Sequence, residues 1–124
     1  MKYGIVGNRQ GWDKDFVTWK ISDIIFNDKG DEITEVEIIS GGACGVDSYA
    51  KIYSAENGIH YKEFLPNPKE SIPERYFNRN KKIAEECDIL IAFDQKMGHS
   101  GTKNTIRYAK ELNKDIVLVY SSSD

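Results

Sequence analysis

Three short strings in this chain gather glycine beside residues that bind anions. "GIVGNR" closes an apolar run at Gly7 and follows it with Asn8 and Arg9. A glycine there lets backbone approach a ligand, and Arg9 carries the planar fork for a bidentate phosphate contact. A strand-to-loop turn with a solvated arginine is the other reading of so short a string. "SGGACGVD" sets Ser40, Gly41, Gly42, Ala43, Cys44 and Gly45 ahead of a helix start at Val46 and Asp47. Backbone N–H groups of such a loop, with a helix N-terminus behind them, hold an anion without a cationic side chain. Gly41 and Gly42 permit positive φ, and Ser40 adds a hydroxyl donor. Asp47 favours the helix N-terminus but would repel an adjacent phosphate. It therefore reads as fixing the loop or accepting a ribose hydroxyl. The string is neither a Walker loop nor GxGxxG, and a plain turn stays open beside the anion site. "GHSGTKN" places Gly98, His99, Ser100, Gly101 and Thr102 before another helix. It reads as a second polar cradle, or as an ordinary helix start with Ser100 or Thr102 as N-cap. His99 is an acid/base candidate or an exposed loop histidine.

A fourth string, "RYFNRN", runs from Arg75 to Asn80 and opens a helix. Arg79 and Asn80 face the same edge as the glycine loops, or Arg79 pairs on the surface with Glu86 or Asp88. Tyr76 and Phe77 read as core, with an exposed Tyr76 as a base-stacking alternative.

Alternating elements must position these strings. Strands are predicted at Lys2–Val6, Glu35–Ile39, His60–Phe64, Cys87–Phe93 and Asp115–Tyr120, the third of them an outer strand. "CDILIAF" is the most apolar and reads as central. Helices are predicted over Asp13–Asp28, Val46–Asn57, Glu74–Glu86 and Lys103–Asn113. In the first, Phe16, Val17, Ile21, Ile24 and Ile25 recur at helical spacing behind a capping Asp13. In the second, Val46, Tyr49, Ala50 and Tyr53 share a face, and Gly58 closes it. The turn Asp28–Glu32 and the proline loop Leu65–Pro73 connect elements. The pattern predicts an α/β fold: a doubly wound parallel five-stranded sheet in the order 3-2-1-4-5, with helices on both faces. One domain is expected over residues 1–120, with a polar tail at 121–124. All three glycine loops then fall at the carboxyl edge of the sheet, where such folds bind ligands. Only Gly30 and Gly58 fall at the opposite edge.

Composition narrows the function classes. The 124 residues are 40% hydrophobic and 30% charged, as in an ordinary globular chain. No apolar run approaches the roughly 18 residues of a membrane span, and the N-terminus lacks a secretory core, so a cytoplasmic protein is expected. Cys44 and Cys87 form neither a disulfide framework nor a zinc motif, so no metal is expected. A net charge of −3 argues against broad binding of a nucleic-acid backbone. A single pocket can still be locally positive.

Taken together, the four strings resemble the SLOG superfamily. It groups small Rossmann-like domains that include DNA-processing protein A, the LOG phosphoribohydrolases and small stand-alone proteins. The likeness is greatest to the stand-alone YspA/YpsA-related branch, whose pattern is Gly-Ser-Arg after the first strand, SGGARGVD, an Arg-Asn pair and a GGT loop. Here these read Gly7-Asn8-Arg9, Ser40 to Asp47, Arg79-Asn80 and Gly98 to Thr102. The resemblance spans Lys2 to about Tyr120. It implies a nucleotide or nucleotide-derived ligand across the glycine loops, no further cofactor, and a homodimer. Two departures bear on activity. The LOG pattern PGGxGTxxE carries a catalytic glutamate, and its position falls here on Thr105, after Asn104. Neither acts as a carboxylate base. Cys44 replaces the usual arginine of SGGARGVD, through small-residue packing or as a thiol activated at a helix N-terminus.

Three functions follow as expectations. The first is binding or sensing of a nucleotide. The second is hydrolysis of a nucleoside 5′-monophosphate at its N-glycosidic bond, with Asp94 or Asp47 supplying the missing acid. The third is single-stranded nucleic-acid binding along Lys81, Lys82, Lys103, Arg107 and Lys110, which the net charge disfavours.

Overall fold

The computed structural model describes residues 1–29, 35–95 and 101–120. Gly30, most of the predicted turn after the first helix, Gly98, His99, Ser100 and the tail at 121–124 lie outside the described residues. The elements run β1 (Lys2–Gly7), α1 (Lys14–Lys29), β2 (Glu37–Ser40), α2 (Val46–Glu56), β3 (His60–Glu63), α3 (Ile72–Glu86), β4 (Ile89–Asp94), α4 (Gly101–Glu111) and β5 (Asp115–Tyr120). All strand pairs are parallel, in the order β3-β2-β1-β4-β5. This is the expected doubly wound α/β sheet, with the reversal of strand order between β1 and β4.

Strand alternation feeds two cores. Tyr3, Ile5, Ile38, Ile91 and Phe93 point to one face and meet Val17, Ile21 and Ile25 of α1 and Val46, Ala50 and Tyr53 of α2. Val6, Ile39, Leu90 and Ala92 point to the other, against Ile83 and Ala84 of α3 and Ile106 and Ala109 of α4. β4 lies inside the sheet and β3 at its edge, as their sequences predict.

Local signals explain the element ends. Asp13 caps α1, its Oδ2 accepting the Phe16 N–H at 2.9 Å. Gly58 closes α2 at φ 63°, with the Ile59 N–H returning to the Ser54 carbonyl at 2.9 Å. α3 begins two residues before its predicted start. Pro73 sits in its first turn, where no helical N–H is required. Cys87 belongs to the end of α3 and not to β4, because its N–H still bonds the Ile83 carbonyl at 3.1 Å. Phe16 departs from the expected core face. It lies on the flank of α1, 38% exposed, and stacks on Trp12 with ring centroids 6.1 Å apart.

Candidate functional site

A cleft of about 440 Å³ opens at the carboxyl edge of the sheet, at the end of β1. Its floor is the end of β1 at Val6 and Gly7. Asn8 and Arg9 line one rim, Ala43 and Asp47 another, and Arg79, Asn80, Gly101 and Thr102 the far side. Residues from all four sequence strings therefore meet in a single cavity. Pro73, Tyr76, Phe77 and Ile83 add an apolar wall from α3, and Thr105 closes the bottom of α4.

The two basic groups are held differently. Arg79 is half-buried. It donates from Nη1 to the Gly41 carbonyl at 2.8 Å and from Nε to Asn80 Oδ1 at 2.8 Å. These bonds replace the alternative surface pairing with Glu86 or Asp88, because α3 turns Arg79 toward the β2–α2 loop. Its guanidinium stands 5.8 Å from the Tyr76 ring centre. Burial lowers its pKa, the Asp47 charge opposes that shift, and Arg9 adds to it. Arg9 is exposed and makes no hydrogen bond or ion pair among the described residues. Asn80 is buried and ties α3 to α4, donating to Asn104 Oδ1 at 3.1 Å.

The glycines act mainly by making room. Gly42 and Gly45 have φ of 74° and 75°, but Gly41 does not share the positive φ expected of it. A Cβ at Gly41 would instead stand 2.9 Å from Arg79 Cζ and 3.1 Å from Asp47 Oδ2. Gly41 thus makes space for that charge pair. At Gly45 a Cβ would meet the backbone of Arg9, with Arg9 Cα 3.0 Å away. The loops after β1 and β2 are therefore packed backbone to backbone, which sets where Arg9 emerges. Gly7, expected to admit a ligand, also admits Val46 of α2, whose side chain would lie 2.5 Å from a Cβ there.

Asp47 is 5% exposed and holds the loop, its Oδ2 accepting the Ala43 N–H at 3.1 Å. Burial raises its carboxyl pKa, against the lowering effects of the Ala43 N–H and of Arg79. It is the one carboxylate lining the cleft among the described residues. Asp94 is turned away. Its Oδ2 takes Lys103 Nζ at 2.6 Å, and it faces a separate hollow between α4 and β5. Ser40 is fully buried, and its hydroxyl donates to the Ile5 carbonyl at 2.7 Å across the sheet, so it does not serve the cleft as a donor. Cys44 is exposed and outside the cleft, which removes the small-residue packing expected for it. Thr102 lies within the first turn of α4 and not at its cap.

Val6, Pro73 and Ile83 carry no sequence signal as lining residues, Phe77 reads as core, and Tyr76 reads as core or as a base-stacking residue, the reading its place in the cleft favours. Phe77 is 47% exposed at the cleft. A signal did exist: positions 73, 76, 80 and 83 recur at three- and four-residue steps, the trace of one helix face.

A parallel sheet in the order β3-β2-β1-β4-β5, with a cleft at the strand-order reversal, is a Rossmann-like arrangement. Among solved structures the chain is similar to DNA processing protein A (DprA) from Streptococcus pneumoniae, with a TM-score of 0.77 at 20% identity over 98% of this chain and 50% of that one. It is also similar to TM1055, a structural-genomics target, with a TM-score of 0.67 at 16% identity over 94% of this chain and 72% of that one. The chain thus spans about half the length of DprA. What it shares with both is the fold. No protein-family model and no curated protein sequence matches it. No helix among the described residues is long and apolar enough to cross a membrane.

Proposed function

We propose that the cleft binds a nucleotide or nucleotide-derived ligand, with its phosphate toward Arg9 and the start of α2 and its base against Tyr76 and Phe77. The observation that carries this reading is that one cavity holds both kinds of group. Two guanidinium groups, one of them without a partner among the described residues, share it with an aromatic and apolar wall from α3. Phosphate needs the first and a base needs the second. The four-string likeness to the YspA/YpsA-related branch supports the same ligand class. Thermal-shift and calorimetric titration with nucleoside monophosphates, diphosphates and cyclic nucleotides tests it. At least one of these ligands stabilises the chain, and Arg9→Ala weakens that ligand about tenfold or more, the loss of one charge-assisted contact. No stabilisation by any of them overturns the reading.

Asp47 supports a second reading, cleavage of the N-glycosidic bond of a nucleoside 5′-monophosphate. A carboxyl raised by burial inside the cleft is suited to protonate a departing base. Thr105 and Asn104, where LOG enzymes carry glutamate, supply no such group. Chromatography for free base after incubation with purine and pyrimidine monophosphates decides it. Release that Asp47→Asn abolishes supports hydrolysis, and intact substrates leave binding alone. Nucleic-acid binding, which the name of DprA brings to mind, ranks third here, because among the described residues the cleft holds two cations and the chain carries a net −3.

A further inference from the structure

The hollow between α4 and β5 is a second cavity, of about 310 Å³, and it shares no lining residue with the cleft. Two faces of one helix serve the two cavities. Gly101, Thr102 and Thr105 line the cleft, while Lys103, Ile106, Arg107 and Lys110 line the hollow. Positions 103, 106, 107 and 110 recur at steps of three and four, the spacing of one helix face. β5 adds Leu118 and Tyr120, which lie two residues apart on one side of an outer strand and are each 40% exposed.

The charges in the hollow do not cancel. Lys103 Nζ lies 2.6 Å from Asp94 Oδ2, and that pair balances itself. Arg107 and Lys110 are exposed and pair with no carboxylate among the described residues. The Arg107 guanidinium stands 5.3 Å from the Tyr108 ring centre. Two uncompensated cations on one cavity suit a phosphomonoester, whose charge is about −1.5 to −2 at pH 7. Lys81 and Lys82, the other members of the expected basic edge, do not line the hollow. Its cations therefore border a pocket and not a track for a nucleic-acid backbone.

Asp94 gives the second signal. It lines the hollow and is 3% exposed, and its Oδ1 has no hydrogen-bond partner among the described residues. A buried carboxylate oxygen left open is costly until a donor reaches it. Lys103 already balances the Asp94 charge through Oδ2, so the donor that fits is a neutral hydroxyl and not an ammonium. Ile106, Leu118 and Tyr120 supply the apolar surface that ligand pockets use beside a few polar groups.

We propose that this hollow binds a small phosphorylated sugar, with its phosphate on Arg107 and Lys110 and a ring hydroxyl donating to Asp94 Oδ1. Asp94 Oδ2 stays with Lys103, so the pair that braces α4 is kept. The volume stands at the lower end of ligand pockets, about 300–1,000 Å³, which suits a pentose phosphate.

NMR titration of the nitrogen-labelled full chain with ribose 5-phosphate tests this. Amides of α4 and β5 around Arg107 and Leu118 shift, with submillimolar affinity. Arg107→Ala with Lys110→Ala, two exposed positions whose folding circular dichroism checks, weakens binding at least about tenfold. Inorganic phosphate and propyl phosphate, which carry no sugar hydroxyl, each bind at least about tenfold more weakly than ribose 5-phosphate. No shift overturns the proposal, and so do shifts confined to the cleft around Gly7 to Arg9 and the start of α2. Equal affinity for propyl phosphate, or binding that the folded double variant keeps, overturns it as well. A 5′-phosphorylated oligonucleotide that binds the hollow more tightly than ribose 5-phosphate, with a steep loss in salt, overturns it in favour of nucleic acid.

Discussion

The start of α2 and the end of β4 offer two buried aspartates at one edge of one sheet, and the fold holds them in opposite ways. Asp94 is 3% exposed and locked to a cation: Lys103 Nζ stands 2.6 Å from its Oδ2 and also donates to the Gln95 carbonyl at 2.6 Å. Asp47 is 5% exposed and leans on a backbone N–H and on Arg79, which is itself bonded to Gly41 and Asn80. The Asp94 pair braces the start of α4. The Asp47 carboxyl keeps a face on the cleft. Burial alone does not separate a brace from a site group; what compensates the charge does.

The comparison breaks most visibly at Lys103. Lys103→Met leaves Asp94 buried without its cation, and its Oδ1 already has no hydrogen-bond partner. The expected loss is about 3 kcal/mol of folding stability by urea unfolding, and adding Asp94→Asn recovers most of it. Nucleotide affinity in the cleft stays unchanged, because neither residue lines it. A loss under about 1 kcal/mol would show Asp94 to be compensated by something other than Lys103.

Gly45 sharpens the other half. Gly45→Ala forces a side chain into φ 75° and against the Arg9 backbone. The strain and the contact together cost about 2 kcal/mol of stability. Unlike Lys103→Met, this change moves Arg9, so nucleotide affinity falls along with stability. Calorimetry on the two variants separates the brace from the site.

The fold was legible because it rests on local signals. Alternating apolar runs, the Asp13 cap and the Gly58 terminator each act within a few residues, and the strand order follows from the right-handed crossovers of parallel sheets. The polar half of the cleft was legible for the same reason, since Gly7 to Arg9 and Ala43 to Asp47 are continuous strings. Its apolar half was not. Which face α3 turns to the cleft depends on how it packs over β1 and β2, and "YFNR" contains both a core-like and a site-like reading. Ser40 shows the same limit. A serine at a strand end donates equally well to a ligand or to a neighbouring strand, and only the pairing of β2 with β1 decides that it reaches Ile5. Gly41 shows it once more: its neighbour across space, Arg79, lies 38 residues further along the chain.

The smallest expected effect tests the compensation of Asp47 directly. Burial lifts its carboxyl pKa above the ordinary 3.8. Between that value and the raised one, the folded chain keeps a proton that the unfolded chain has released. Folding stability from this group is therefore full below the ordinary value and declines as pH rises through the raised one. Asp47→Asn removes the charge but keeps an oxygen for the Ala43 N–H. At acid pH the parent has the advantage of its neutral carboxyl, and as pH climbs toward neutrality the variant gains on it. The change across the window is the smallest of these effects, because the Ala43 N–H and Arg79 oppose the burial cost. Paired urea titrations between pH 4 and pH 8 measure it as a difference, which cancels the carboxylates common to both chains. Parallel profiles would mean that Arg79 and the loop compensate Asp47 as fully as Lys103 compensates Asp94. A divergence in the stated direction means that the cleft holds its carboxyl under an uncompensated load, available to a ligand that brings a hydroxyl donor.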